Sequence, residues 1–190
     1  MQVYVDESGC DKRIGNRRYG WAPSGVTPEK IAQYPRDKRT HILPSYDQDG
    51  VVYTRIFQGY TDGAFFLEYV KQLLHHMNPF LGRRSVMILD NVSFYRSPEI
   101  TRVCGEAGVK VVYTTPYNPQ DNPIEEFFHK LKAFIRKHWM VFKADPDFEF
   151  ESFLQWCVDE VGARPASARG HFRNAGMHVE EYGEDQLPCL

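Results

Sequence analysis

Residues Ser85-Val86-Met87-Ile88-Leu89 form an unbroken apolar run that stops at Asp90-Asn91. A strand with one solvated face alternates polar and apolar residues, whereas a run this continuous needs cover on both faces. The chain must therefore supply helices to both sides of a sheet. It does so in an order that reads strand, hairpin, helix, strand, helix, strand, helix, which predicts a mixed α/β sheet flanked by helices. One domain is expected from 190 residues, and an apolar content of 42% with 25% charged residues gives it the means to build a core.

The first strand is read in Val3-Tyr4-Val5, ending at Asp6 and a loop through Glu7-Ser8-Gly9. Arg18 to Pro23 reads as a further strand. His41–Tyr46 and Val51–Phe57 read as a hairpin around Asp47-Gln48-Asp49-Gly50, whose Asp-Gly pair is a turn signal. Asp62 is placed to cap a helix carrying Phe65, Phe66, Tyr69, Val70, Leu73 and Leu74 to about Met77. Ser97-Pro98 starts a short helix, and Val109–Tyr113 is a second buried strand. Asn122 caps a helix to about His138, with Pro123 in its first turn and an apolar stripe of Ile124, Phe127, Phe128, Leu131 and Ile135. Beyond about Asp145 two further helices are expected, over Phe150–Val161 and from near Ser167. Residues 1–144 are read as the main domain and 145–190 as a helical extension packed on it.

Two acids, Asp6 and Asp90, thus end strands, where sites in open sheets gather. If those strands are neighbours, their carboxylates lie together, a costly arrangement unless a cation binds between them. Glu125 in a helix first turn is favoured by the macrodipole and can be aimed back at the aspartates. Three carboxylates suit Mg²⁺ or Mn²⁺, with room for two ions, and suit phosphodiester cleavage or transfer. Acids at strand ends and helix starts are also common structural caps, so position alone does not decide between these roles.

The blocks Val5-Asp6-Glu7, Ile88-Leu89-Asp90-Asn91 and Tyr117-Asn118-Pro119-Gln120-Asp121-Asn122-Pro123-Ile124-Glu125 resemble the three motifs of mariner-like DDE transposases. Thirty-four residues, positions 91 to 124, separate the second and third acids, a spacing found in one large branch of that superfamily. Tyr19–Gly25 and Phe172–Gly176 resemble other segments of its DDE endonuclease domain. The resemblance implies a ribonuclease-H-like fold with a five-stranded mixed sheet and Asp6, Asp90 and Glu125 as ligands of two Mg²⁺ or Mn²⁺ ions. It also implies hydrolysis and strand transfer in cut-and-paste DNA transposition, with transposon-end and target DNA, and a second copy of the chain, as partners. Tyr95 stands where relatives often have His, and Asn118 and Gln120 replace the commoner Ser and Asp.

Several residues near these blocks carry two readings. Glu7 and Glu126 adjoin the candidate ligands but point elsewhere by strand and helix geometry. Asn91 orients Asp90, meets a phosphate, or serves as a turn residue. Lys130, Lys132, Arg136, Lys137 and His138 on the Glu125 helix track DNA or make a solvated face, and Lys12, Arg13, Arg17 and Arg18 divide the same way. The net charge of −2 is not that of a dedicated DNA-binding module.

Cys10, Cys104, Cys157 and Cys189 are too scattered for a zinc site or disulfide framework, and neither a signal peptide nor a membrane span is read. A soluble intracellular protein is expected, nuclear if the host is eukaryotic. Because a core strand follows Met1 at once, the chain is expected to lack an N-terminal DNA-recognition region. A catalytically silent transposon remnant that binds nucleic acid or protein is the competing reading.

Overall fold

The computed structural model describes residues 1–15, 22–27, 39–90, 96–114 and 122–180. In chain order they form β1 (Gln2–Val5), β2 (Ser8–Cys10), a 3₁₀ turn (Lys12–Gly15), β3 (Thr40–Asp47), β4 (Gly50–Gln58), α1 (Gly63–Leu74), β5 (Val86–Leu89) and α2 (Pro98–Glu106). Then follow β6 (Lys110–Tyr113), α3 (Pro123–Lys137), α4 (Trp139–Ala144), α5 (Phe150–Gly162) and α6 (Pro165–Asn174). The expected strand at Arg18–Pro23, the loop through Asp121, and Arg17, Asn91, Tyr95 and Cys189 fall outside the described residues, Ala22 and Pro23 excepted.

β1 pairs in parallel with β5, and β5 in parallel with β6, while β3 runs antiparallel to β1 and to β4. Among the described residues the sheet has six strands rather than the five expected. The additional one, β2, continues the line of β1: both pair with β3 in one register, Val5 opposite Ser45 and Ser8 opposite Ile42. Asp6 and Glu7 fill the gap between them, across from Pro44 and Leu43. Pro44 has no N–H to donate, which suits a break in the ladder at that point. Ser-Gly-Cys has little strand propensity, so only this tertiary pairing makes β2 a strand.

Alternation along the central strands divides the interior in two. Tyr4, Ile42, Tyr46 and Ile88 face α3, α5 and α6, whereas Val3, Val5, Leu43, Met87 and Leu89 face α1 and α2. The caps expected from sequence are in place: Asp62 accepts from the Phe65 N–H at 2.8 Å, Ser97 from that of Glu99 at 3.2 Å and Asn122 from that of Ile124 at 3.4 Å. α1 stops at Leu74, short of Met77. α4 was not expected; the backbone of His138 leaves helical geometry, and Trp139 and Phe142 then fold back onto Phe150 and Phe153 of α5.

The β3–β4 turn is fixed by charge. The buried Asp47 carboxylate accepts from Arg84 Nε at 2.6 Å and from the Asp49 N–H at 2.8 Å, while Asp49 pairs with Arg83 at 2.5 Å and Arg169 at 3.1 Å. Gly50 has φ of +129°, and a Cβ there would lie 2.1 Å from the Gly162 carbonyl oxygen at the end of α5. The turn is thereby seated against both α5 and α6.

Two stability changes follow. Phe153→Ala, at a fully buried position, is expected to cost about 3–5 kcal/mol in urea denaturation. Arg84→Met strands the Asp47 carboxylate, whose pKa burial already raises, and is expected to cost about 3 kcal/mol in the same assay.

Candidate active site

The parallel register of β1 and β5 sets Val5 beside Leu89, so the next residues, Asp6 and Asp90, leave neighbouring strands at the same edge of the sheet. Both follow the parity of Tyr4 and Ile88 and emerge on the side covered by α3. β6 ends level with them, Leu89 lying beside Tyr113, and the next residue, Thr114, donates its hydroxyl to Asp90 Oδ1 at 3.0 Å. Three successive strands therefore deliver side chains to one line.

Asp6 is held at both carboxylate oxygens. The Glu7 N–H donates to Oδ1 at 2.7 Å, and Asn122 Nδ2 lies 3.4 Å from Oδ2. Burial pushes the Asp6 carboxyl up to about 7. The Glu7 N–H pulls against that rise, and the negative charges of Glu125, Asp90 and Glu7 add to it. Glu125 thus lies near enough for its charge to bear on Asp6. It is itself exposed in the first turn of α3, because Ile124, Phe127 and Phe128 lock the buried stripe of that helix against the sheet.

Carboxylate oxygens alone make up this set, the donor chemistry that Mg²⁺ and Mn²⁺ select. A cation would offset the repulsion that adds to the effect of burial on Asp6, so the donor chemistry of these residues suits such an ion. Among the described residues, no three His, Cys, Asp or Glu side chains are drawn together tightly enough to hold a metal.

Neighbouring acids are engaged elsewhere. Glu7 points to the opposite layer, where it meets His41 Nδ1 at 2.5 Å and accepts from the Thr61 hydroxyl. Glu126 accepts from Asn174 Nδ2 at 3.2 Å and lies 4.0 Å from His171 Nε2. The basic residues of α3 spread away from the site. Lys130 donates to Ser167 at 2.8 Å, Lys132 lies 6.0 Å from the Phe128 ring centre, and Arg136 and Lys137 occupy the last turn. At about 1.5 Å per residue, that turn is roughly 16–18 Å from Glu125. Arg13 pairs with Asp11 at 2.6 Å. Reading the sequence missed Thr114 and the contact of Asn122 with Asp6. The position of Thr114, one residue past a buried strand, was the available signal.

Residues 2–145 match the family described as DDE superfamily endonuclease. None of the curated proteins matches the chain. Among solved structures, the Mos1 transposase paired-end complex with left transposon end superposes with a TM-score of 0.59 at 16% identity, over 94% of this chain and 56% of that one. The Mos1 mariner paired-end complex with Mn gives 0.59 at 15%, with the same coverage of both chains. The catalytic domain of Mos1 mariner transposase gives 0.50 at 15%, over 94% of this chain and 84% of that one. The chain thus spans little more than half the length of the Mos1 chains in the paired-end complexes and shares their ribonuclease-H-like fold. With three quarters of its residues matched by the family and that fold in place, the chain belongs to the DDE superfamily endonucleases.

Proposed function

We propose that this chain is a DDE transposase catalytic domain that hydrolyses DNA phosphodiesters and transfers strands with the aid of divalent metal. The observation that carries this reading is the pairing of β1 with β5, which puts Asp6 and Asp90 on adjacent strand ends while Asp6 feels the charge of Glu125. Asp6, Asp90 and Glu125 would hold one or two Mg²⁺ or Mn²⁺ ions. When bound, such ions activate an attacking water or 3′-hydroxyl and stabilise the leaving oxygen of an in-line displacement.

The chain's own residues prepare that site. The Glu7 N–H and the Asn122 amide orient Asp6, Thr114 orients Asp90, and the macrodipole of α3 favours the Glu125 carboxylate. Asp6 must shed its proton to act as a ligand, so ion binding is coupled to proton release. DNA, as transposon end and target, is the proposed partner, and a homodimer the proposed assembly. Residues 1–144 make the catalytic unit and 145–190 a helical extension of it. Asn91, Lys130, Lys132, Arg136 and Lys137 are proposed to line the DNA path. Among the described residues no helix is long and apolar enough to cross a membrane.

A silent remnant that only binds nucleic acid or protein is favoured by one observation, the loose spacing of the three acids. Asp90→Ala separates the two readings. The native chain is expected to nick supercoiled plasmid DNA with Mn²⁺ and the variant to fall to background; equal nicking by both overturns the catalytic assignment.

Asp6 also gives a pH signature. Between about 4, the unfolded carboxyl value, and about 7, the folded metal-free chain keeps a proton that the unfolded chain has lost. This contribution to stability is full below about 4 and is lost as pH rises through about 7. Asp6→Asn stays neutral throughout, so calorimetry in a chelator should show its Tm gaining about 5–10 °C on the native chain between pH 5 and pH 8.

A further inference from the structure

Asn122 occupies a position from which one residue reaches both the first and the third acid. Its side-chain Oδ1 accepts from the Ile124 N–H at 3.4 Å and its backbone oxygen accepts from the Glu125 N–H at 3.2 Å. Its Nδ2 faces Asp6 Oδ2, also at 3.4 Å. Asp6 Oδ1 is taken by the Glu7 N–H at 2.7 Å, so the Asn122 amide engages the remaining oxygen and stops the carboxylate from turning about its χ2 torsion.

Helix capping alone does not call for this residue type. Ser, Asp and Asn cap about equally well. An Asp would turn a fourth carboxylate toward an Asp6 whose pKa is already raised by burial and by the nearby acids, and a Ser would cap without offering an amide N–H. Asn is the residue that caps and also donates, and it adds no charge. Pro123 reinforces the geometry, since its ring fixes the first helical φ and disfavours helical backbone at the residue before it. Asn122 has the extended backbone, φ −105° and ψ 100°, that this requires.

We infer that Asn122 is a positioning residue of the candidate site, its amide tying Asp6 to the start of the helix that carries Glu125 so that the two acids face a shared ion. This rests on the metal-dependent reading proposed above. The contact with Asp6 is long and contributes little to stability, so its effect falls on metal affinity, where loss of groups that orient ligands costs about 10–100-fold.

Asn122→Ser and Asn122→Ala separate the amide from the cap, with Mn²⁺ titration by calorimetry in the absence of DNA and Tm in a chelator as the two readouts. N122S is expected to keep its Tm within about 1 °C while its Kd for Mn²⁺ rises about tenfold. N122A is expected to show the same rise in Kd together with a Tm lower by about 2–4 °C. A native Kd in N122S overturns the inference, as does a Tm loss in N122S equal to that of N122A, which would reduce the residue to a structural cap. A native chain that takes up no Mn²⁺ overturns the metal reading itself and this inference with it, whereas native uptake unchanged in N122S overturns the inference alone.

Discussion

Two aspartates held side by side at the ends of parallel strands repel each other, and in a partly buried setting that repulsion is not screened away by water. The pairing of β1 with β5 creates this situation; burial raises the Asp6 carboxyl to about 7, and the charges of Glu125 and Asp90 add to that rise. A fold that aimed only at stability would place a neutral residue at one of the two ends. Here the surrounding structure instead fixes the charges in place. The ladder between β1 and β2 opens at Asp6 and Glu7, opposite Pro44, and the freed Glu7 N–H turns onto the carboxylate. Glu7 itself is anchored to His41 and Thr61 in the other layer, so the backbone that holds Asp6 is braced from both faces of the sheet.

The third acid depends on how α3 is seated. Phe127 packs on Tyr46 with ring centres 4.9 Å apart, and the Tyr46 hydroxyl meets the buried His171 Nδ1 at 2.8 Å. Burial, then the nearby Lys130 charge, lowers the His171 pKa against the opposing pull of Glu126, which favours the neutral ring. Through Tyr46, His171, Glu126 and Asn174, helix α6 is joined to the sheet and to the first turn of α3, one residue from Glu125. The C-terminal helices therefore bear on the candidate site although none of their residues enters it. The same helices receive the β3–β4 turn through the Arg169–Asp49 pair and the close approach of Gly50 to Gly162.

Much of this was legible in the sequence where local physics decides. The apolar run at Val86–Leu89, the turn at Asp49-Gly50, and the caps at Asp62, Ser97 and Asn122 each have a mechanism confined to a few neighbouring residues, and each is found in place. β2 and α4 were not legible. Ser8-Gly9-Cys10 becomes a strand because β3 extends far enough to pair with it. Trp139–Ala144 becomes a helix because an aromatic cluster on α5 receives it. Both are cases of tertiary context overriding weak local propensity.

The candidate site divides along the same line. The sequence by itself determined that Asp6 and Asp90 end strands and that Glu125 opens a helix, since strand ends, turn residues and caps are short-range properties. Which strands are neighbours is a property of long-range pairing, and only the tertiary structure decided that β1 lies against β5 and brought the two aspartates together. Only it could show the Asn122 amide facing Asp6 across 116 positions of chain and Thr114 donating to Asp90. A one-dimensional pattern holds no record of such contacts because they form between segments whose only connection is the sheet they build.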